Sequence, residues 1–391
     1  MENRKFFIAT EREIEEGKAS DVYFSRTKDL VLSEGDDVVA EITSSMQEKW
    51  INFTGLEEVT NLLEGRNIQM WAIPEGTLLG TRDTAGRSIP FIVLKGNYSH
   101  IIELETSILG FICQSSGISS ESTRVFMECY PKPFMSFGIR RMHPGISPMI
   151  DRAAYIGGAS GVSGILGAEL IGITPSGTMP HSAALMMGED RAWDYVMKNS
   201  PPGSRTILID TFGDEKFKAI EAAEKFPDID YIRLDTPSSR RGNFPQIIRE
   251  VRWELDIRGF KSVKIMVSGG LKKEQIAELR EAGVDSFGVG TTIASGKVID
   301  FAMDIVEIGG RAITKKGKLS GMKNVFQCES CGRTTIALFN ETPLCPDHGI
   351  MRGLLQKILQ DGKRINKKES VIEIRERSVN MALKLLNSPK E

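Results

Sequence analysis

The sequence predicts an α/β protein in three parts. An N-terminal α/β (α+β) domain spans 1–115 and is completed by about 296–325. A β/α barrel spans 116–295, and a small Cys/His knuckle with a C-terminal helix spans 326–391. Three observations carry that reading. The 391 residues exceed what one hydrophobic core usually holds. Between about 120 and 295, short β-rich runs alternate with amphipathic helical patterns, which is how consecutive βαβ units read. Near 326 the texture turns short, polar and Cys-rich.

Taken in order, residues 1–100 read as mixed strands and turns through WINFTG, IQMWAIPEGTLLG and PFIVLKG. A helical stretch begins near Tyr98, where IIELETSILGFICQSS places apolar residues at i, i+3, i+4 and i+7. The β-rich runs that follow are PFMSFGIRR, AELIGIT, RTILIDTFG, YIRLDT, VKIMVSGG and DSFGVGTT. Helical patterns such as DEKFKAIEAAEKF, FPQIIREVRWELDIRG and KEQIAELREAGV separate them. Six or more such units in succession predict a closed barrel. The polar residues fall just after strands: Arg140 and Arg141, Thr178 to His181, Asp210, Arg233 and Asp235, Ser268 to Gly270, Gly290 and Thr291. A barrel gathers such positions on one face, at the C-terminal ends of its strands, whereas an open sheet spreads them. The tail 351–391 reads as helical, with Lys/Arg 10 against Asp/Glu 5, a solvated face.

Composition narrows the function. Hydrophobic residues at 40% and charged residues at 26% fit a soluble globular chain. Lys+Arg 50 against Asp+Glu 52 leaves a net charge of −2, so no bulk positive field attracts nucleic acid or bilayers. The first residues, MENRKFFIATEREIEEGK, contain no apolar signal region, and no run approaches a membrane span. An odd set of cysteines (Cys113, Cys129, Cys328, Cys331, Cys345) argues against a disulfide framework and for a reducing cytoplasm.

The sharpest motif is Cys328-x-x-Cys331, thirteen residues, then Cys345-x-x-His348. Each pair sits on a tight turn, with Gly332 and Gly349 supplying permissive backbone, and two such turns supply four soft ligands in a tetrahedron, the geometry of structural zinc. With all four positions protein ligands, no open coordination site remains for catalysis. The intervening GRTTIALFNETPL carries only Arg333 as a basic residue, which favours a structural clip over a nucleic-acid contact. Ser268-Gly269-Gly270 and Gly288-Val289-Gly290-Thr291-Thr292 close the last two strands as Gly-rich turns with a hydroxyl beside them. Two such turns in adjacent βα units make a phosphate site from backbone amides, and no GxxxxGK[ST] motif competes. Arg140, Arg141 and Arg233, with Arg240 and Arg241 in the following loop, are the bidentate anion readers. Asp210 and Asp235 end neighbouring strands and suit ribose hydroxyls or Mg²⁺-bound water. His181 stands at a helix start in SGTMPHSAAL, a loop that also carries Ser176, Thr178 and Ser182.

These segments together resemble the nicotinate phosphoribosyltransferase family, in its archaeal-type members. PEGTLLG followed by KGNYSHIIELETSILGFI resembles the family's N-terminal region. SFGIRR, GASGVSGILGAELIGITPSGTMPHS, IRLDT and SFGVGTT resemble its F-G-x-R, G-T-x-x-H, R-x-D-[ST] and F-G-x-G-T elements. RRMHPG with RAAYIGGASG also resembles quinolinate phosphoribosyltransferases, which lack the G-T-x-x-H histidine, so His181 separates the two readings. The Cys/His knuckle is not general in the family.

The resemblance implies an N-terminal α/β domain and an irregular β/α barrel of the type II phosphoribosyltransferase kind, with active sites formed across the interface of a homodimer or higher homo-oligomer. It implies an ATP-dependent, ligase-type enzyme that joins nicotinate to phosphoribosyl pyrophosphate with Mg²⁺ in NAD salvage. His181 aligns with the histidine that ATP phosphorylates, and Thr178 and Arg233 with nicotinate contacts. Phe137 aligns with one wall of an aromatic sandwich, and Tyr23 in SDVYFSR with the other, from a neighbouring subunit. Thr291 and its glycines, with Gly269 and Gly270, align with phosphoribosyl-binding loops, and Asp210 and Asp235 with acidic positions near ribose and metal. A quinolinate enzyme or another barrel phosphosugar enzyme is the rival, and a zinc-knuckle nucleic-acid-binding protein on an inactive barrel the remote one.

Overall fold

The computed structural model describes residues 4–34, 37–235 and 243–388. The chain divides into two compact units, residues 1–120 with 297–381 and residues 121–296 with 382–391.

The first unit is built on a seven-stranded sheet. Its order is Arg311–Ala312, Phe301–Ile308, Asp37–Ser44, Pro90–Asn97, Ile68–Ala72, Gln356–Gln360 and Lys363–Arg364. Every pairing is antiparallel. Ile68, Met70 and Ala72 are buried while Gln69 and Trp71 are partly exposed, the period of two expected of a strand with one face on a core. Phe53, Phe91 and Phe301 fill that core, with ring centroids 5.3 to 6.1 Å apart.

Two expectations for the chain's end are corrected. The segment after 326 does not stand apart, because Gln356–Gln360 is hydrogen-bonded beside Ile68–Ala72 in this sheet. The tail is helical only over Val371–Asn387, and 352–364 is mostly strand. The turn at Asp361-Gly362, with φ of 52° and 74°, closes the hairpin Gln356–Gln360/Lys363–Arg364, because an Asp-Gly pair tolerates the left-handed backbone that a tight hairpin requires.

The second unit carries six parallel strands in the order Gly161–Val162, Phe134–Ser136, Ser286–Val289, Lys264–Ser268, Tyr231–Leu234 and Thr206–Leu208. Helices Glu215–Lys225, Phe244–Ile257 and Lys273–Glu281 bury Ala219 and Ala222, Ile248, Val251 and Leu255, and Ile276 and Leu279, respectively. That spacing puts one apolar stripe of each helix into the core. The expected closure is not found: among the described residues the outer strands Gly161–Val162 and Thr206–Leu208 do not pair, so the sheet is a half-barrel. The run AELIGIT, expected as a strand, instead supplies the end of helix Ile165–Ile171, which Gly172 terminates at φ 82°. No helix among the described residues is long and apolar enough to cross a membrane.

Candidate active site

In a parallel sheet, the loops that leave the C-terminal strand ends meet on one edge, and ligands collect there. Here that edge borders a cavity of about 660 Å³. It is lined by Phe137 and Arg140–Arg141 after one strand, Ser163 after the next, and Gly177 to His181 beyond it. Arg233, Asp235, Ser268 to Gly270, Gly288, Gly290 and Thr291 complete the lining.

Arg233 organises the floor. Its Nε donates to the Ser268 hydroxyl at 2.8 Å, one terminal nitrogen to the Thr178 hydroxyl and the other to the Asp235 carboxylate at 2.6 Å. Ser268 also donates to Asp235. The guanidinium carbon stands 5.6 Å from the Phe137 ring centroid, within cation–π range, and the side chain is only 12% exposed. Gly288 permits this packing: a Cβ there would lie 2.6 Å from the Phe137 ring and 2.8 Å from Ser268 Cβ. Gly269 and Gly270 turn the chain at φ 94° and 69°, conformations that a side chain resists.

His181 opens the helix His181–Met187. Its Nε2 lies 3.9 Å from Asp210 and 3.7 Å from Asp235, and its Nδ1 lies 3.3 Å from the Thr211 hydroxyl. Nε2 is enclosed and has no hydrogen-bond partner among the described residues. Asp210 is not part of the cavity wall; it is 3% exposed and accepts the Asp235 amide at 2.8 Å, which fixes Asp235 relative to the histidine. Two carboxylates thus face one imidazole nitrogen.

The structure thus gathers Phe137, Arg140, Arg141, Thr178, His181, Arg233, Asp235, Ser268, Gly269, Gly270, Gly290 and Thr291 at one cavity, with Asp210 behind it. Arg140 and Arg141 are exposed, in the turn Ile139–Arg141, and make no side-chain hydrogen bond or ion pair among the described residues. Of Thr174, Ser176 and Thr178, only Thr178 reaches the cavity. Tyr23 belongs to the first unit, on the helix Val22–Glu34, and is 57% exposed. Its hydroxyl donates to Asp21 at 3.4 Å. Arg240 and Arg241 lie outside the described residues. Sequence reasoning missed Ser163 and Met179; the Gly/Ser-rich stretch GGASGVSG was the available signal for the first.

In the first unit, the donor atoms of Cys328, Cys331, Cys345 and His348 all lie within 4.8 Å of one another. Gly332 at φ 73° and Gly349 at φ 78° close the two turns. Cys331 Sγ is 3.8 Å from Cys345 Sγ, which is 3.6 Å from His348 Nδ1. The Asp347 amide, and after burial's opposing effect the His348 amide, hold the Cys345 thiol below its ordinary value, toward the ligating thiolate.

An α/β half-barrel with a basic, glycine-lined cavity at its strand ends, beside an α+β unit, defines a class of two-unit phosphate-handling folds. Residues 21–116 match the N-terminal domain of quinolinate phosphoribosyl transferase and residues 118–304 its C-terminal domain. A crystal structure of nicotinate-nucleotide pyrophosphorylase from Pyrococcus furiosus is 43% identical, with TM-score 0.92 over 98% of this chain and 100% of that one. The chain belongs to the quinolinate phosphoribosyltransferase family. A nicotinate phosphoribosyltransferase of Mycobacterium tuberculosis is 30% identical over 318 residues, covering 76% of this chain and 64% of that protein, so this chain spans under two thirds of that relative. Human nicotinic acid phosphoribosyltransferase, at 17% identity and TM-score 0.74 over 95% and 96% of the two chains, shares the fold.

Proposed function

We propose that this chain is an archaeal-type, ATP-coupled nicotinate phosphoribosyltransferase. The pyridine nitrogen of nicotinate bonds to the anomeric carbon of phosphoribosyl pyrophosphate as the bond to pyrophosphate breaks. The products are nicotinate mononucleotide and pyrophosphate. The observation that carries the reading is His181 at the rim of the cavity, faced by Asp210 and Asp235. The phosphoribosyl chemistry alone gives no reason for that triad, whereas a histidine that accepts phosphate from ATP does. The name of the Mycobacterium tuberculosis relative supports the same substrate, whereas the printed name of the Pyrococcus furiosus protein, a nicotinate-nucleotide pyrophosphorylase, favours the second reading below.

The pyridine nitrogen is already a nucleophile, so the site needs no strong base. Phe137 orients the ring by stacking, and Arg233 and Thr178 meet its carboxylate. Arg140, Arg141, Thr291 and the amides of Gly269, Gly270 and Gly290 neutralise and hold the phosphates, which favours the transition state by positioning and charge. Asp235, with Asp210 fixing it from behind, would offer oxygen donors to Mg²⁺, which when bound would supply charge to offset the leaving pyrophosphate. Tyr23, exposed, fits the second ring wall in a dimer or higher assembly.

A quinolinate enzyme is the second reading, favoured by the two domain matches. Incubation with labelled nicotinate or carboxyl-labelled quinolinate, with phosphoribosyl pyrophosphate and Mg²⁺, with and without ATP, separates them. Nicotinate mononucleotide from nicotinate, enhanced by ATP, is expected. Release of labelled carbon dioxide from quinolinate with no product from nicotinate overturns the assignment.

We propose zinc for the Cys/His cluster, a reading its geometry supports. Tetrahedral Zn–S bonds of ~2.3 Å place two sulfurs ~3.8 Å apart, and a sulfur and an imidazole nitrogen ~3.6 Å apart. The separations found are 3.8 and 3.6 Å. Metal analysis is expected to give one zinc per chain, lost in a Cys328→Ser/Cys331→Ser variant along with the fold of 326–350. Unchanged zinc in that variant overturns the assignment.

A further inference from the structure

Asp151 lies on the helix Ser147–Ile156 and is 0% exposed. Neither carboxyl oxygen has a side-chain partner among the described residues, and the Gly164 amide is turned toward the carboxylate. A buried carboxyl so sparsely partnered calls for an explanation, because its desolvation disfavours the fold. The groups around it are specific. A Cβ on Gly164 or on Gly167 would be driven into the Asp151 carboxylate, and the Gly164 position also meets the Ile139 side chain.

Those neighbours carry the cavity. Gly164 follows Ser163, which lines it, and Ile139 precedes Arg140 and Arg141, which also line it. The Ser163 amide donates to Ser136 at 3.1 Å, and the Ser176 amide to Val162 at 2.8 Å, so the Gly161–Gly164 stretch also anchors the loop leading to His181. Gly164 begins the helix Ile165–Ile171 with no side-chain cap of its own.

We propose that Asp151 is a positioning residue for the phosphate end of the cavity: wedged against Gly164 and Gly167, with Gly164 in turn beside Ile139, it sets where Ser163 and the Arg140–Arg141 turn stand. This rests on the phosphoribosyltransferase reading above. A group retained for positioning at a cost in stability gives a distinct signature. Burial raises the Asp151 carboxyl to about 6, opposed by the Gly164 amide, and no charged side chain contributes. The sign follows: a carboxyl raised in the folded state destabilises increasingly as pH climbs from its ordinary value to about 6, and uniformly above that.

Asp151→Asn removes the buried charge and keeps the shape. Its Tm is expected to exceed the wild type's by a few degrees at pH 7.5, with the gain fading toward pH 4.5. Asp151→Ala removes the wedge: its KM for phosphoribosyl pyrophosphate is expected to rise roughly tenfold with kcat within about twofold, because the donor's contacts are misplaced while the chemistry is intact, whereas Asp151→Asn is expected to keep the wild-type KM. Donor binding by calorimetry is expected to weaken in parallel in the Ala variant. Gly164→Ala gives an independent arm: it is expected to weaken donor binding, and Asp151→Ala in the same chain to restore part of it by making room. An Ala variant with unchanged KM and donor affinity overturns the proposal, as does an Asn variant whose Tm difference from the wild type does not vary with pH. If the wild type binds the donor but turns over neither nicotinate nor quinolinate, the reading of function falls, and the calorimetry and Tm arms still decide Asp151.

Discussion

Arg233→Ala is expected to lower kcat/KM for nicotinate by about two orders of magnitude, mostly through KM. Two losses add. The first is the ligand contact: a charge-assisted hydrogen bond contributes roughly 1.5–3 kcal/mol. The second is the floor itself. Arg233 ties Thr178, Ser268 and Asp235 together from a largely buried position, and its removal leaves the Asp235 carboxylate without its cation. About 2.7 kcal/mol corresponds to the hundredfold expected. Arg233→Lys is expected to recover little, because an ammonium keeps the charge but cannot reach three partners as a planar fork does. The nicotinamide reaction, if any is measurable, is expected to fall far less, since a carboxamide forms no ion pair. Steady-state kinetics on both pyridines checks this. A loss under about threefold for nicotinate would show that the carboxylate is recognised elsewhere.

The nicotinate reading carries a selectivity for an anionic ring substituent over a neutral one. The stretch 170–181 contains no acid, which by itself favours a carboxylate ligand over a carboxamide. Yet Asp235 reaches the same cavity and pairs with Arg233, offsetting part of its charge. Selectivity then rests on Thr178, Arg233's remaining donor capacity and the unpaired Arg140 and Arg141, rather than on one free arginine.

What was legible in the sequence follows the range of the interactions concerned. The strands that carry Arg233 and Ser268 or lead into Phe137 and Thr291 announced themselves because short apolar runs, amphipathic helices and Gly-rich turns are local signals. Closure was not local: it depends on whether Gly161–Val162 meets Thr206–Leu208, and nothing within either strand reports the other. AELIGIT was ambiguous between strand and helix, and Gly164 and Gly172 at the ends of Ile165–Ile171 were the overlooked helix boundaries. The tail was misread for a different reason. Asp361-Gly362 between apolar flanks is a strong hairpin signal that was passed over, whereas the pairing of Gln356–Gln360 with Ile68–Ala72 spans most of the chain and leaves no local trace. The Cys/His spacing was legible because four ligands at one point require it. Asp151 was not, because its meaning lies in two glycines that a fold must bring to it.

His181→Ala is expected to abolish ATP hydrolysis and the acid-labile phosphoenzyme, by at least about a thousandfold, while some ATP-independent transferase activity survives. The asymmetry follows from where the phosphate goes in the proposed reaction: it would pass from ATP to an imidazole nitrogen and then to water, and enter neither nicotinate mononucleotide nor pyrophosphate. The geometry also selects the nitrogen. Nε2 is enclosed, 3.9 Å from Asp210 and 3.7 Å from Asp235, so two carboxylates stand ready to steady the cation that phosphorylation would create. Nδ1, beside the Thr211 hydroxyl, is the atom left to attack. Adding two negative charges at the cavity rim alters the field felt by Arg140, Arg141 and Arg233, which is how a phosphate outside the reaction coordinate tunes donor binding. Asp210→Asn is expected to slow phosphorylation without removing it, since Asp235 still faces the ring. Incubation with γ-labelled ATP, followed by acid and alkali stability tests and phosphohistidine isomer analysis, reads all of this. Retained label in His181→Ala would place the phosphate on another residue, and an Nε2-phosphorylated isomer would show that the ring turns over before it reacts.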